Sequence, residues 1–211
     1  MQMKIKYLHA LTADENDFIC EYRLNFCQRH SIHVMCGNQA NLMLSFLASF
    51  LGDYSAFPSY PTAVLHSEVS LDGCDYRLCV LHEEDGMRLS ANFDSENFIH
   101  NPQDTKRFVK RICRLDKKDH NLFLSRQANL PNIPRGESTR ILFAFEHWLT
   151  EIERQKDNGK PLYIADLLDC LDESIDLSPL FSRLVALDRQ VFLTCRTPKH
   201  FLHPNAELIL V

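Results

Sequence analysis

No stretch of this 211-residue chain is long and apolar enough to cross a bilayer as a helix, because charge, proline or turn residues break every apolar run well short of about 20 residues. An excess of positive charge is missing too. Lys and Arg number 23 against 28 Asp and Glu, and a net charge of −5 excludes strong non-specific binding of nucleic acid by this chain alone. Eight cysteines are present but no C-x-x-C pair. Most sit singly inside apolar stretches, so they read as buried free thiols in a reducing cytoplasm rather than a disulfide framework or zinc site. The opening MQMKIKYLHAL is too short and too interrupted by charge for a signal peptide, which fits the same compartment. There is no internal repeat, no low-complexity region and no heptad stretch. No G-x-S-x-G surrounds a serine, and Ser138, Cys36 and Cys195 have no local motif that positions a base, so no hydrolase triad is assigned.

The chain is organised around Ser31 to Asp53, SIHVMCGNQANLMLSFLASFLGD. It reads as a buried strand from Ile32 to Cys36, a tight turn opening at Gly37, and an apolar helix over Asn41 to Leu51. A strand, a glycine turn and a helix N-terminus together form the shape of a phosphate-binding loop. The chemistry of such a loop is absent. Laid on G-x-x-x-x-G-K-[ST] from Gly37, Leu42 takes the second glycine, Met43 the lysine and Leu44 the hydroxyl residue. Leu42, Met43, Leu44, Phe46 and Leu47 are expected to fill the space, leaving a small apolar pocket behind Gly37.

Ahead of this stretch, Met3 to Leu11 and Phe18 to Phe26 alternate as strands. Behind it, Val64 to Leu71 and Cys74 to His82 form a hairpin around Asp72-Gly73, and Met87 to Phe93 extends it into a meander. Asp104 to Leu115, DTKRFVKRICRL, predicts a basic amphipathic helix, either a solvated face or a local contact for nucleic acid or an acidic partner. Lys117 to Pro134 reads as an irregular arm. Glu137 onward predicts a long helix with Ile141, Leu142, Phe145, Trp148, Leu149 and Ile152 on one stripe. Pro161 to Ala165 and Gln190 to Thr194 are continuously apolar strands on either side of a helix over Leu177 to Leu187, and Glu207 to Val211 is a last strand. Asp166, Asp169, Asp172, Glu173 and Asp176 follow a strand end; they either cap helix starts or hold a divalent cation, and capping is the simpler account. His200-x-x-His203 has metal spacing but Pro204 follows at once, so it reads as a surface turn.

In this order the motifs resemble the ABC-type ATPase heads of the SMC and RecF superfamily over nearly the whole chain. MKIKYLHAL matches the β entry, and YRLNFCQRHSIHVMCGNQ the strand and phosphate loop. IPRGESTRILFAFEHWL is similar to the signature opening a long helix, PLYIADLLDCLDES to the Walker B strand with Leu171-Asp172 as the LD pair, and RQVFLTCRTPKHF to the switch strand. The resemblance implies one α/β domain over 1–211, P-loop NTPase-like, with a mixed sheet (parallel core plus antiparallel meander) flanked by helices. Its parts are a β-rich 1–95, a helical arm at 100–135 and a signature and Walker-B-like part at 136–211.

The resemblance also implies a vestigial nucleotide site at Gly37, Asn38, Gln39, Asn41, Met43, Gly136 and Glu137. In the family's pattern Pro134 takes the place of the signature serine, and Cys195 that of the switch histidine. Aligned on the LD pair, Ala165 falls at the magnesium-binding aspartate and Asp166 at the catalytic glutamate; a one-residue gap moves Asp166 to the metal position. Losing a single charge-assisted phosphate contact removes roughly 1.5–3 kcal/mol. The expectation is a pseudo-ATPase without cofactor that acts as a regulatory or scaffolding subunit. It would pair as a homodimer or as a heterodimer with an ABC-type head, away from any membrane and meeting nucleic acid only within a complex. The alternative is a working ATPase with Asn38, Gln39 and Asn41 as neutral phosphate donors and Asp166 holding Mg2+ for ATP.

Overall fold

A computed structural model describes residues 3–13, 18–50, 62–71, 73–83, 86–92, 113–115, 137–154, 161–198 and 203–211. They fall in two compact units, one within 1–29 and 42–112, the other within 30–41 and 113–211.

The first unit is built on a six-stranded antiparallel sheet. Its strands are β1 (Met3–Ile5), β2 (Tyr7–Ala13), β3 (Ile19–Asn25), β5 (Thr62–Leu71), β6 (Cys74–Glu83) and β7 (Gly86–Asn92), in the order β3-β2-β5-β6-β7 with β1 also on β5. The hairpin of β5 and β6 pairs Leu71 with Cys74, and Gly73 at its tip has φ +83°, a turn conformation that glycine adopts without strain. Strand burial alternates: Leu8, Ala10 and Thr12 of β2 are buried while their neighbours are half-exposed. One face therefore packs and the other is wetted, as antiparallel sheets allow. Lys6, between β1 and β2, donates to Glu68 (2.5 Å) and Asp75 (2.6 Å), which raises its pKa, the Asp75 bond most. From Leu42 on, helix α1 (Ala40–Ser49) also belongs to this unit, and its Phe46 meets Tyr22 of β3 with ring centroids 6.0 Å apart.

The second unit holds a five-stranded parallel sheet in the order β11-β4-β10-β9-β8. These are β4 (Ile32–Cys36), β8 (Cys113–Leu115), β9 (Leu162–Ile164), β10 (Val191–Cys195) and β11 (Ala206–Leu210). Every residue of β4, β9 and β10 is buried, which is why they read as continuous apolar runs. Helices α2 (Glu137–Arg154) and α3 (Ser178–Ala186) pack in one core with this sheet. Ile141, Phe145, Trp148, Leu149 and Ile152 of α2 and Leu180, Phe181 and Leu184 of α3 join Ile32, Val34, Leu162, Ile164, Val191 and Leu193. Asp176 Oδ1 accepts the Ser178 N–H at 2.9 Å and closes the start of α3; that bond holds the Asp176 carboxyl below its usual pKa.

Two sequence expectations are corrected here. Among the described residues the parallel and antiparallel strands form two sheets rather than one mixed sheet, since β4, although it follows β3 closely, pairs there only with β10 and β11. The helix expected over Asp104 to Leu115 is a strand at its end: Cys113–Leu115 pairs in parallel with β9. Pairing with a neighbouring strand overrides local helical periodicity over so short a segment. Residues 104–112, the arm over Lys117 to Pro134, and His200 lie outside the described residues. No described helix is long and apolar enough to cross a membrane.

Candidate functional site

In an open parallel sheet, ligands meet the crevice beyond the carboxyl ends of the strands. At the carboxyl ends of β4, β9 and β10 a cleft of about 260 Å³ is lined by Gly37, Asn38, Ala40, Asn41, Asp166, Thr194, Cys195 and Arg196.

The turn after β4 is only three residues long, Gly37 to Gln39, before α1 begins at Ala40. Gly37 has φ +135°, its N–H donates to the Cys195 carbonyl (3.0 Å), and its carbonyl accepts from Ala40 N–H (3.3 Å). A Cβ at this position would stand 1.8 Å from the Val211 carbonyl oxygen, so glycine is required twice, for conformation and for room.

Three side chains close a ring across the cleft. The Thr194 hydroxyl donates to Asn41 Oδ1 (2.7 Å), Asn41 Nδ2 donates to Asp166 Oδ1 (2.8 Å), and the Asp166 backbone N–H donates to Thr194 Oγ1 (3.0 Å). The hydroxyl both gives and receives, so its place in the ring is fixed. Asp166 takes φ +56°, a left-handed conformation that aspartate tolerates better than most residues, and this turns its N–H toward Thr194. Beside the ring, Asp169 accepts the Arg196 N–H on both carboxylate oxygens (3.1 and 3.0 Å), tying the loop after β10 to the loop after β9. Ser138, in the first turn of α2, donates to the Cys170 carbonyl (3.3 Å) and accepts the Asp172 N–H (3.1 Å). Its hydroxyl is used in structure, in keeping with the absence of a triad motif.

The site residues expected from sequence are distributed unevenly. Gly37, Asn38, Asn41 and Asp166 meet at the cleft. Gln39 is exposed and does not line it, and Met43 is fully buried in α1. Gly136 lies outside the described residues, and Glu137 is the first residue of α2. The small apolar pocket expected behind Gly37 is a polar, open cleft instead. Met43, Leu44, Phe46 and Leu47 are all fully buried, as expected, but α1 starts early enough that its first turn, with Ala40 and Asn41, faces the cleft. No sequence motif marks Thr194; a hydroxyl near the end of an otherwise apolar strand is the available signal. Cys195 is buried, with its Sγ 3.9 Å from the Met35 carbonyl. Among the described residues no three His, Cys, Asp or Glu side chains are placed to hold a metal ion, and Asp169 and Asp176 serve backbone N–H groups. His203 stacks on Phe181 (centroids 5.5 Å apart) and accepts the Asn205 N–H.

No protein-family model matches this chain, and neither does any curated protein. Among solved structures it is similar to the SMC head domain from Thermotoga maritima, with 10% identity over 93% of this chain and 90% of that one, at a TM-score of 0.58. At that identity the likeness concerns the fold, and the mixed α/β architecture described above, with its parallel and antiparallel sheets, is similar to that of this SMC head.

Proposed function

We propose that this chain is a degenerate ABC/SMC/RecF-like, P-loop NTPase-like head that does not hydrolyse ATP and serves as a regulatory or scaffolding subunit. The observation that carries the reading is the cleft beyond β4, β9 and β10. Its turn, Gly37 to Gln39, and the first helical residues, Ala40 and Asn41, contain no cationic side chain, and the Asp166 carboxylate is engaged by the Asn41 amide. A phosphate-loop lysine places a charge on the β- and γ-phosphates, and the adjacent hydroxyl helps to hold magnesium. Here the turn is shorter than that motif, and Ala40 and Asn41 open the helix in its place. A fold kept intact around a turn without a cationic side chain suits a subunit whose work is binding. Its partner is then a second copy or an ABC-type head with an intact phosphate loop, and nucleic acid is reached only through that complex.

A second reading keeps one supporting observation: the N-terminus of α1 opens on the cleft with Asn38 and Asn41, and backbone N–H groups at a helix start can bind an anion unaided. On that reading the chain binds Mg-ATP weakly, with Asp166 on the metal. Calorimetric titration with Mg-ATP, run beside phosphate release, separates the two. We expect no binding at millimolar nucleotide and no turnover. Micromolar binding with turnover that Asp166→Asn abolishes would overturn the degenerate reading.

A further inference from the structure

One row of side chains crosses the parallel sheet in register: Glu207 on β11, His33 on β4, Phe192 on β10 and Tyr163 on β9. The His33 side chain has no exposed surface, whereas Glu207 at the sheet edge keeps about a quarter of its own. His33 Nδ1 lies 2.8 Å from Glu207 Oε2, and Nε2 lies 3.1 Å from the amide nitrogen of buried Gln190, in the turn that leads into β10. The ring stacks on Phe192 (5.3 Å, 25°), which stacks on Tyr163 (5.4 Å, 13°).

These contacts select a protonation state. A carboxylate only accepts, so Nδ1 carries the hydrogen; the neutral ring then presents Nε2 as an acceptor, and the Gln190 amide donates to it. A second proton on Nε2 would set two donors face to face in a buried site, which Gln190 can relieve only by turning its amide. Burial lowers the His33 pKa most strongly, Glu207 pulls it back up, and His30 adds to the lowering.

The strand at stake is the edge strand of its sheet. Among the described residues β11 pairs with β4 alone, and Leu208 and Leu210 are 43% and 72% exposed, so few buried contacts hold it there beyond the main-chain ladder. Past its far end, the Val211 N–H donates to the Cys36 carbonyl (2.8 Å) and the Val211 carbonyl presses on Gly37.

We infer that the buried Glu207–His33–Gln190 cluster is a pH-sensitive clasp on β11: a proton on His33 breaks its match with Gln190, loosens β11 from β4, and frees the Gly37 turn that lines the cleft. This holds whether or not the cleft takes nucleotide. The sign follows from linkage. With the folded-state pKa lowered, the stabilisation is complete above the ordinary histidine value of about 6.5 and is lost as pH falls from there toward the lowered one.

Hydrogen exchange of the full chain, corrected for intrinsic rates, tests this on the peptide covering 206–211 between pH 7.5 and 5. Protection there should fall below pH about 6.5, by up to about tenfold per pH unit for one linked proton, while β10 stays protected. His33→Asn keeps a donor toward Glu207 and cannot titrate, so its protection should be flat with pH. Glu207→Gln, at a partly exposed position, keeps the acceptor but withdraws the charge that raises the His33 pKa, so its decline should continue to lower pH than in the wild type. His203, at the entry to β11, is another imidazole close to that strand; His203→Asn should leave the decline unchanged. A flat wild-type profile, a decline that survives His33→Asn or disappears in His203→Asn, or a Glu207→Gln decline ending at the wild-type pH would overturn the proposal.

Discussion

Gly37 and Thr194 carry the tightest local demands in the cleft. At Gly37 an added methyl meets the Val211 carbonyl at 1.8 Å and the backbone sits at φ +135°. Gly37→Ala should therefore cost at least about 1–3 kcal/mol of stability, measured by urea unfolding, because backbone strain alone is of that size. Thr194 is buried and completes the ring through Asn41 and Asp166. Thr194→Val keeps the shape but strands an amide oxygen and a backbone N–H, and should cost about 1–3 kcal/mol. Thr194→Ser keeps the hydroxyl and should cost distinctly less. The same melts distinguish these cases. Of the ring's members, Asn41 and Asp166 were legible in the sequence through their place beside the glycine turn and the acidic strand end. Thr194 was not, because only the parallel register of β10 between β4 and β9 puts its hydroxyl within reach of both.

Among the elements, α2 was the most legible and β8 the least. The stripe Ile141, Phe145, Trp148, Leu149 and Ile152 runs along α2 and is buried in the core of the second unit. Leu149 has no exposed surface, so Leu149→Ala should cost about 2–5 kcal/mol in the same urea melts. Thr139→Ala, on the exposed side of the first turn, should stay within about 0.5 kcal/mol. Eighteen residues of helix supply enough turns for periodicity to show. The three residues of β8 supply none, and their strand character is induced by β9. The start of α1 at Ala40 lies between these extremes. The apolar run marked a helix, but nothing local marked that its first turn would carry Ala40 and Asn41 to the cleft rather than Leu42 and Met43.

At the scale of the whole molecule, charge and topology carry different information. A net charge of −5 predicts that the isolated chain binds a short DNA duplex at physiological salt more weakly than about 100 µM, checked by fluorescence anisotropy. Tighter binding by the chain alone would contradict the idea that nucleic acid is reached only through a partner. Topology separates the strands into an antiparallel and a parallel sheet in two units. The alternation of β2 and β5 and the unbroken burial of β4 and β10 already distinguish the two kinds of strand, since a one-sided sheet needs period two and a sheet buried on both faces does not. Which strand joins which sheet does not follow from the pattern, because β4 lies close behind β3 in the chain and yet pairs with β10 and β11.

By itself the sequence determined the character of the elements: two kinds of strand, the apolar stripe of α2, the Asp72-Gly73 hairpin, and a glycine turn without a cation after a buried strand. Each is written in spacing or in a residue with a particular backbone freedom, so each is local. Tertiary structure alone decided what depends on register between distant segments. That includes the ring of Asn41, Asp166 and Thr194, the polar rather than apolar cleft, the strand at Cys113–Leu115, and the burial of His33 between Glu207 and Gln190. The contacts of Asn41 in the ring and of His33 in its cluster join residues more than a hundred positions apart, and only the pairing of β4 with β10 and β11, and of β9 with β8 and β10, brings all these segments together.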